Sequence, residues 1–491
     1  MNRSLRISSS TGIALAVILS AAATVAAAEP GNANLVRDIN PGQAPSDPDY
    51  LTDAAGTLFF AATGPGGREL YRSDGSSAGT VRLSVRPGAK SADPLYITAI
   101  GSRVFFSANG GGGLGRELWV SDGSSSGTHL VADVRPGSKS SNPRALAAMG
   151  GKLYFSADGG GGLGRELWVS DGTPGGTHIV RDIRAGRKSS DPQEIVAVGN
   201  RIFFRASTPI NSLWASDGTQ GGTNAIPITG GLDVLELTRV GAKLFFVSEE
   251  SPNGPFTGRM SVRVVNPGAQ TSNRLMDLPE CSDQVYCDYA CGDSTCRFGF
   301  DLTAVGGLLY FTTTTDRLWR SDGTKSGTFK VTRLFGCDIN TGAPCAKSFT
   351  DVGGTLFFLA PRYTYSGPNG EYEHVSTEVW KSDGTAEGVE LVKAFPPHDV
   401  RWFEKGPCPA EPEICANYLV GSSAALLGQY YFSGPEGDLW QTNGTEAGTK
   451  RACPAAEQCA NGPMKFTTVE DTLYISADDG IHGRELWRFI P

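Results

Sequence analysis

The sequence predicts an all-β fold, a closed β-propeller of nine four-stranded blades. Three observations predict it. A unit of about 48 residues recurs along the chain. Each unit carries four short apolar runs divided by turn residues. The third observation concerns the two ends, which carry complementary halves of one unit. NLVRDI (34–39) reads as the close of a unit, and GRELWRF (483–489) as its beginning.

Two runs in the repeat define the inner part of each unit. An aromatic run follows a Gly: TLFF (57–60), RVFF (103–106), KLYF (152–155), RIFF (201–204), KLFF (243–246), LLYF (308–311), TLFF (355–358), QYYF (429–432) and TLYI (472–475). A further strand precedes it, as in PLYITAIG (94–101) and QEIVAVG (193–199).

The third run is ELYRSDG (69–75), ELWVSDG (117–123 and 166–172), SLWASDG (212–218), RLWRSDG (317–323), EVWKSDG (378–384), DLWQTNG (438–444) and ELWRF (485–489). RMSVRVV (259–265) is its degenerate fifth copy. An alternating strand such as HLVADV (129–134) or HIVRDI (178–183) closes the unit.

The units run 35–79, 80–127, 128–176, 177–222, 223–270, 271–327, 328–388, 389–448 and 449–491. The ninth lacks its last strand, and NLVRDI supplies it. Joining the two ends closes the ring and leaves no bare edge. An open solenoid would want polar caps instead. Eight blades with an inserted hairpin is the competing count, because of the degenerate fifth copy.

Residues 1–28 have secretory-signal grammar: Arg3 and Arg6, an apolar stretch over 12–28, and Ala26-x-Ala28 before Glu29. Residues 29–491 form one propeller domain. Removing the signal takes the net charge from −8 to −10. That acidic balance argues against nucleic acid, which needs basic patches. No later stretch is apolar for long enough to span a bilayer. The expected address is secreted, periplasmic or cell-surface, and the expected state is a monomer.

The phrase ELWVSDGSSSGTHLVADVRPG (117–137) resembles the repeat of the bacterial ELWxxDGT-repeat proteins. The match covers nearly all of 34–491 and weakens at units five to eight. The resemblance implies a secreted repeat protein and brings no catalytic residues with it.

Tyr71, Trp119, Trp168, Trp214, Trp319, Trp380, Trp440 and Trp487 occupy one slot of the repeat. One large ring per unit is what packing between blades demands, so these are read as structural rather than as sugar platforms. Only Trp402 stands outside the slot, which makes it a candidate ligand contact. Asp74, Asp122, Asp171, Asp217, Asp322 and Asp383 of the SDG phrase are expected to cap their own turns. One carboxylate per loop is too few for calcium. Asp158, Asp478 and Asp479 sit in Gly-rich loops and are the speculative ligand or calcium positions; no other cofactor or metal is expected. The adjacent Arg and Glu of GREL point to opposite faces of a strand, and the sequence leaves their roles open.

Ten cysteines, Cys281, Cys287, Cys291, Cys296, Cys337, Cys345, Cys408, Cys415, Cys453 and Cys459, lie in the linkers after units five to eight. An even count in an oxidising compartment reads as five disulfides. Local pairs would be Cys337–Cys345, Cys408–Cys415 and Cys453–Cys459, and the other four allow three connectivities. Zinc on those four is the rival, though they lack a CxxC spacing.

No HExxH, GxSxG or phosphate-cradling loop is present. The function expected is a binding or adhesion scaffold that shows the stapled loops to an extracellular glycan or protein. An enzyme acting on extracellular polysaccharide is the alternative, with Asp233, Glu249 and Glu250 as its carboxylates. A matrix or envelope protein is a third.

Overall fold

The computed structural model describes residues 31–86, 90–208, 211–228, 233–249, 260–278, 302–313, 317–333, 346–365, 372–396, 398–399, 422–453 and 461–491. These residues form nine antiparallel sheets set in a ring, a nine-bladed propeller. Blade one consists of strands Asp49–Ala54, Thr57–Gly64, Gly67–Ser73 and Val81–Leu83. Blade two is Leu95–Ile100, Arg103–Gly111, Leu114–Ser121 and His129–Ala132. The fifth unit, degenerate in sequence, forms a full blade from Asp233–Val240, Lys243–Glu249, Met260–Val265 and Asn273–Asp277. The count is therefore nine, without an inserted hairpin.

The sequence unit and the blade are out of phase by one strand. The intervals bounded above open on the fourth strand of one blade and end with the third strand of the next, so the run that closes a repeat stands at the head of the following interval. The offset explains the split ends. In the ninth blade Asn461–Val469, Thr472–Asp478 and Arg484–Phe489 pair in order, and Ala33–Arg37 adds antiparallel to the last of them. Leu35 lies opposite Trp487.

The first strand of every blade lies beside the first strand of the next, and Asn461–Val469 lies beside Asp49–Ala54. These strands line the axis. Threonine hydroxyls stitch some of them across the seams. Thr52 donates to the carbonyl of Ile97 at 3.2 Å, and Thr467 donates to that of Leu51 at 3.1 Å.

Apolar cores fill the seams. Each of nine buried clusters joins residues of two neighbouring blades. The aromatic run explains why. Alternate residues of a strand face opposite ways, so Phe59 enters the seam with blade two while Leu58 and Phe60 enter the seam with blade nine. Every seam is thus fed from both sides. The seam between blades nine and one holds Val36 and Ile39 of the N-terminal segment as well as Val469, Tyr474 and Leu486.

Candidate functional site

The loops between second and third strands and the blade-to-blade linkers share one end of the ring, here the linker face. The SDG turns lie at the other end, the turn face. Contacts confirm the pairing of loops on the linker face: the amide of Arg68 donates to Ser91 Oγ at 2.9 Å, and that of Arg116 to Ser140 Oγ at 2.8 Å.

The GREL pairs fix these linkers, a role that alternation alone could not reveal. Each Arg holds the linker that enters its blade. Arg68 donates to the carbonyl of Asp47 (2.9 Å), Arg116 to that of Asp93 (2.7 Å) and Arg165 to that of Asn142 (2.8 Å). Each Glu holds the linker that leaves. Glu117 accepts from the amides of Val134 (3.0 Å) and Ser141 (2.8 Å) and from the Ser141 hydroxyl (2.5 Å). Glu166 does the same with Ile183 and Ser190. At closure Glu485 accepts from Ile39 (3.1 Å) and from the Ser46 hydroxyl (2.6 Å). The N-terminal segment is therefore held as though it were one more linker. All four carboxylates, Glu69 included, are fully buried, and burial raises their pKa above the ordinary value.

The turn face is spent on one self-contained motif. Asp122 accepts from the amide of Ser124 (2.8 Å), and Asp217 from the amide and hydroxyl of Thr219 (2.9 and 2.7 Å). The preceding Ser and the later Thr join hydroxyls, as in Ser216–Thr223 at 2.7 Å. These bonds hold the Asp pKa values below the usual carboxylate value. Asn443 caps its turn in the same way. The glycine that follows each Asp adopts positive φ and packs on the preceding blade; Gly218, at φ +92°, has its absent Cβ directed at the Tyr154 hydroxyl.

The aromatic slot lies within the seams, each ring facing the preceding blade. Tyr71, Trp119, Trp168 and Trp487 are buried in their clusters. Trp214, Trp319, Trp380 and Trp440 pack against theirs at the edge. In blade five the slot falls to Arg263, which lies opposite Phe246 as Trp119 lies opposite Phe106. Arg263 is buried and donates through Nε to Ser248 Oγ at 2.8 Å.

Other sequence-derived positions fare differently. Asp158 forms an ion pair with Arg135 and accepts from the amide of Gly160 at 2.9 Å. Asp478 accepts from Gly480, and Asp479 from the amides of Ile481 and His482 and from the His482 ring at 2.7 Å. Their oxygens serve the loops themselves. Among the described residues no group of three or more metal-ligating side chains is gathered. Asp233 lies opposite Glu249 in the ladder, and Glu249 is buried. Glu250 and Trp402 lie outside the described residues, as do all the cysteines except Cys453, which is buried in the seam of blades eight and nine. In sequence all ten fall after the fourth strand of one blade and before the first strand of the next.

The axial rim of that face carries residues the sequence reading passed over. One residue in the first half or at the middle of the first strand adopts positive φ in seven blades. It is the second residue for Tyr50 (+54°), Tyr96 (+57°), Ala145 (+51°), Glu194 (+48°) and Ser348 (+58°), the fourth for Glu236 (+56°) and the fifth for Lys465 (+57°). The ladder is irregular there, as between Leu95 and Thr98. A side chain in this conformation costs about 1 kcal/mol or more relative to glycine, yet none of the seven is Gly. The signal available in sequence was variation within a constant phrase: DPDY (47–50), DPLY (93–96), NPRA (142–145) and DPQE (191–194) differ mainly in their last two letters.

Charges surround this rim. Lys465 pairs with Asp49 across the closing seam at 3.2 Å, and Glu194 pairs with the buried Arg205 at 3.0 Å. The rings of Tyr50 and Tyr96 lie 6.2 Å apart, tilted by 59°. Tyr96 is 39 % exposed, unusual for so large a ring here. Burial, with Asp49 and Tyr96 nearby, raises the Tyr50 pKa against the opposing pull of Arg68 and Arg116, so its hydroxyl stays protonated.

No protein-family model matches the chain, and no curated protein matches it. Solved structures share its architecture distantly. A computationally designed protein, Ika8, is 12 % identical with a TM-score of 0.44, over 93 % of this chain and 99 % of its own. A puromycin-hydrolyzing peptidase of Mycobacterium tuberculosis is 14 % identical with a TM-score of 0.38; the match covers 82 % of this chain and only 61 % of the peptidase. BamB from Moraxella catarrhalis is 10 % identical with a TM-score of 0.36, over 81 % and 99 %. Likenesses at this level carry no argument about function.

Proposed function

We propose that the protein is a secreted, non-catalytic binding propeller that recognises an extracellular glycan through its linker face. The observation that carries this reading is the asymmetry of the two faces. The turn face repeats one motif whose polar groups satisfy each other. The linker face carries a rim residue that changes from blade to blade, on linkers bolted down by buried carboxylates. Rigid scaffolds that vary their loops are how binding function is usually built. We propose that the cysteine-bearing linkers add to this face and that disulfides stiffen them for extracellular use. Membership of the ELWxxDGT-repeat proteins belongs to the same proposal.

Glycan-array binding of the oxidised mature protein, with calcium and with a chelator, tests the reading. Specific binding is expected. A blank array would overturn the glycan and turn attention to a protein partner. Calcium dependence would give Asp158, Asp478 and Asp479 a role in the site.

One observation favours a second reading, a hydrolase or lyase acting on extracellular polysaccharide. Asp233 and Glu249 stand opposite each other on neighbouring strands, and paired carboxylates are the working parts of glycosidases. Depolymerisation that Asp233→Asn abolishes would establish it.

A further inference from the structure

We propose that the axial rim at blades one and two is a subsite for an acidic sugar, whose ring lies on Tyr96 beside Tyr50 and whose carboxylate meets the guanidinium groups of Arg68 and Arg116. The proposal rests on the reading of the protein as a glycan binder, and places the site in blades one and two.

The first argument is conformational. At φ +57° Tyr96 sits where glycine would be less strained, and it is nevertheless 39 % exposed. Packing does not account for keeping it. Strain retained in an exposed side chain at the mouth of a fold points to a use outside the fold. The neighbouring Ile97, by contrast, is buried and is not at positive φ.

The second argument is chemical. The exposed part of Tyr96 offers a surface for the apolar face of a pyranose ring. The Tyr50 hydroxyl and the two arginines supply donors beside it. Arg68 spends an N–H on the Asp47 carbonyl, and Arg116 spends N–H groups on the carbonyls of Asp93 and Ser107. A guanidinium has five N–H donors in a planar fork suited to carboxylate. Of the acids near the rim, Asp49 is engaged by Lys465, and Asp191 by Arg144 and Arg165. The side toward blades one and two holds the two tyrosines and the two arginines, with Asp93 near Arg116, while Glu194, paired with Arg205, and Glu236 lie toward blades four and five.

Calorimetric titration of the full mature protein with tetragalacturonate tests the site, with cellotetraose and tetraglutamate as controls. The expected result is binding of tetragalacturonate at least tenfold tighter than either control, weakened by salt. Tyr96→Gly is expected to reduce that affinity at least tenfold while leaving Tm equal to or above the parent's, since glycine relieves the backbone. Tyr96→Phe keeps the ring and is expected to bind within threefold of the parent. Tetraglutamate binding as tightly as the sugar would overturn the proposal, because charge alone would then suffice. So would a Tyr96→Gly variant that loses Tm and keeps its affinity. Tetragalacturonate binding unmoved by Tyr96→Gly would sink this subsite and leave the glycan-binding reading standing. No binding to tetragalacturonate, with a positive glycan array, would do the same.

Discussion

The hydroxyl of Ser46 donates to the carboxylate of Glu485 at 2.6 Å, joining residues 439 positions apart in the chain. The backbone amide of Ser46 also donates to the carbonyl of Arg484 at 3.0 Å. Equivalent bonds link Ser141 to Glu117 and Ser190 to Glu166 within continuous chain. Ring closure therefore uses the same joint as every well-formed blade junction, without the peptide connection.

Removing residues 29–40 should destabilise the whole ring. Ala33, Val36 and Ile39 are buried, and full burial of each larger side chain contributes about 1.5–3 kcal/mol. A loss of at least about 3 kcal/mol is expected in denaturant unfolding. Equal midpoints for truncated and full mature protein would show that closure adds nothing.

Glu117→Gln tests the joint. Its carboxylate accepts three donors, and an amide offers one oxygen and presents N–H where an acceptor is needed. The cost expected is about 1–3 kcal/mol, read from the shift in urea midpoint. No change would mean that the linker is held by its packing.

Gly218→Ala should destabilise by about 1 kcal/mol or more, because φ is positive and the new methyl would collide with the Tyr154 hydroxyl. Adding Tyr154→Phe should recover part of that loss in thermal melts. A double variant no better than the single one would assign the whole cost to the backbone.

Asp217→Asn separates turn geometry from titration. Hydrogen bonds from Thr219 lower the Asp217 pKa. A lowered acid gives stability that is present above its unfolded value, about 3.8, and lost as pH falls through the folded value. Asn443 shows that an amide can cap the same turn. The parent's advantage over Asp217→Asn should thus vanish at acid pH and open as pH rises toward neutrality. The buried Glu117 contributes with opposite sign. Its pKa is raised, so its contribution is full below 4.5 and falls away as pH climbs through the folded value. Melting curves of both variants across pH 2–7 should therefore diverge from the parent in opposite directions.

Much of the fold was legible in the sequence because the seams impose one rule on every blade. Eight of the nine set a ring at the Trp119 slot, and each has an apolar run beside it, so the spacing repeats. The split unit was legible for the same reason: Leu35 and Trp487 each match their slots. Fixed phrases did not reveal geometry through space. Arg116 and Glu117 are adjacent letters, yet they hold loops that precede and follow their blade. Arg263 shows that a blade can form without the aromatic signature when a buried polar partner, Ser248, meets the substitute. Tyr50 and Tyr96 went unread because periodicity reports which face a residue takes and is silent about φ.

The closing joint also sets a schedule. Ile39 and Glu485 are 446 positions apart. At ribosomal speeds of about 5–20 residues per second, the first strand of the pair waits roughly 20–90 s for its partner. Through that interval Ala33–Arg37 is an unclaimed edge-former, able to add to another chain's open blade. Crowded synthesis should therefore favour strand-exchanged dimers, and dilution during refolding should favour the closed ring.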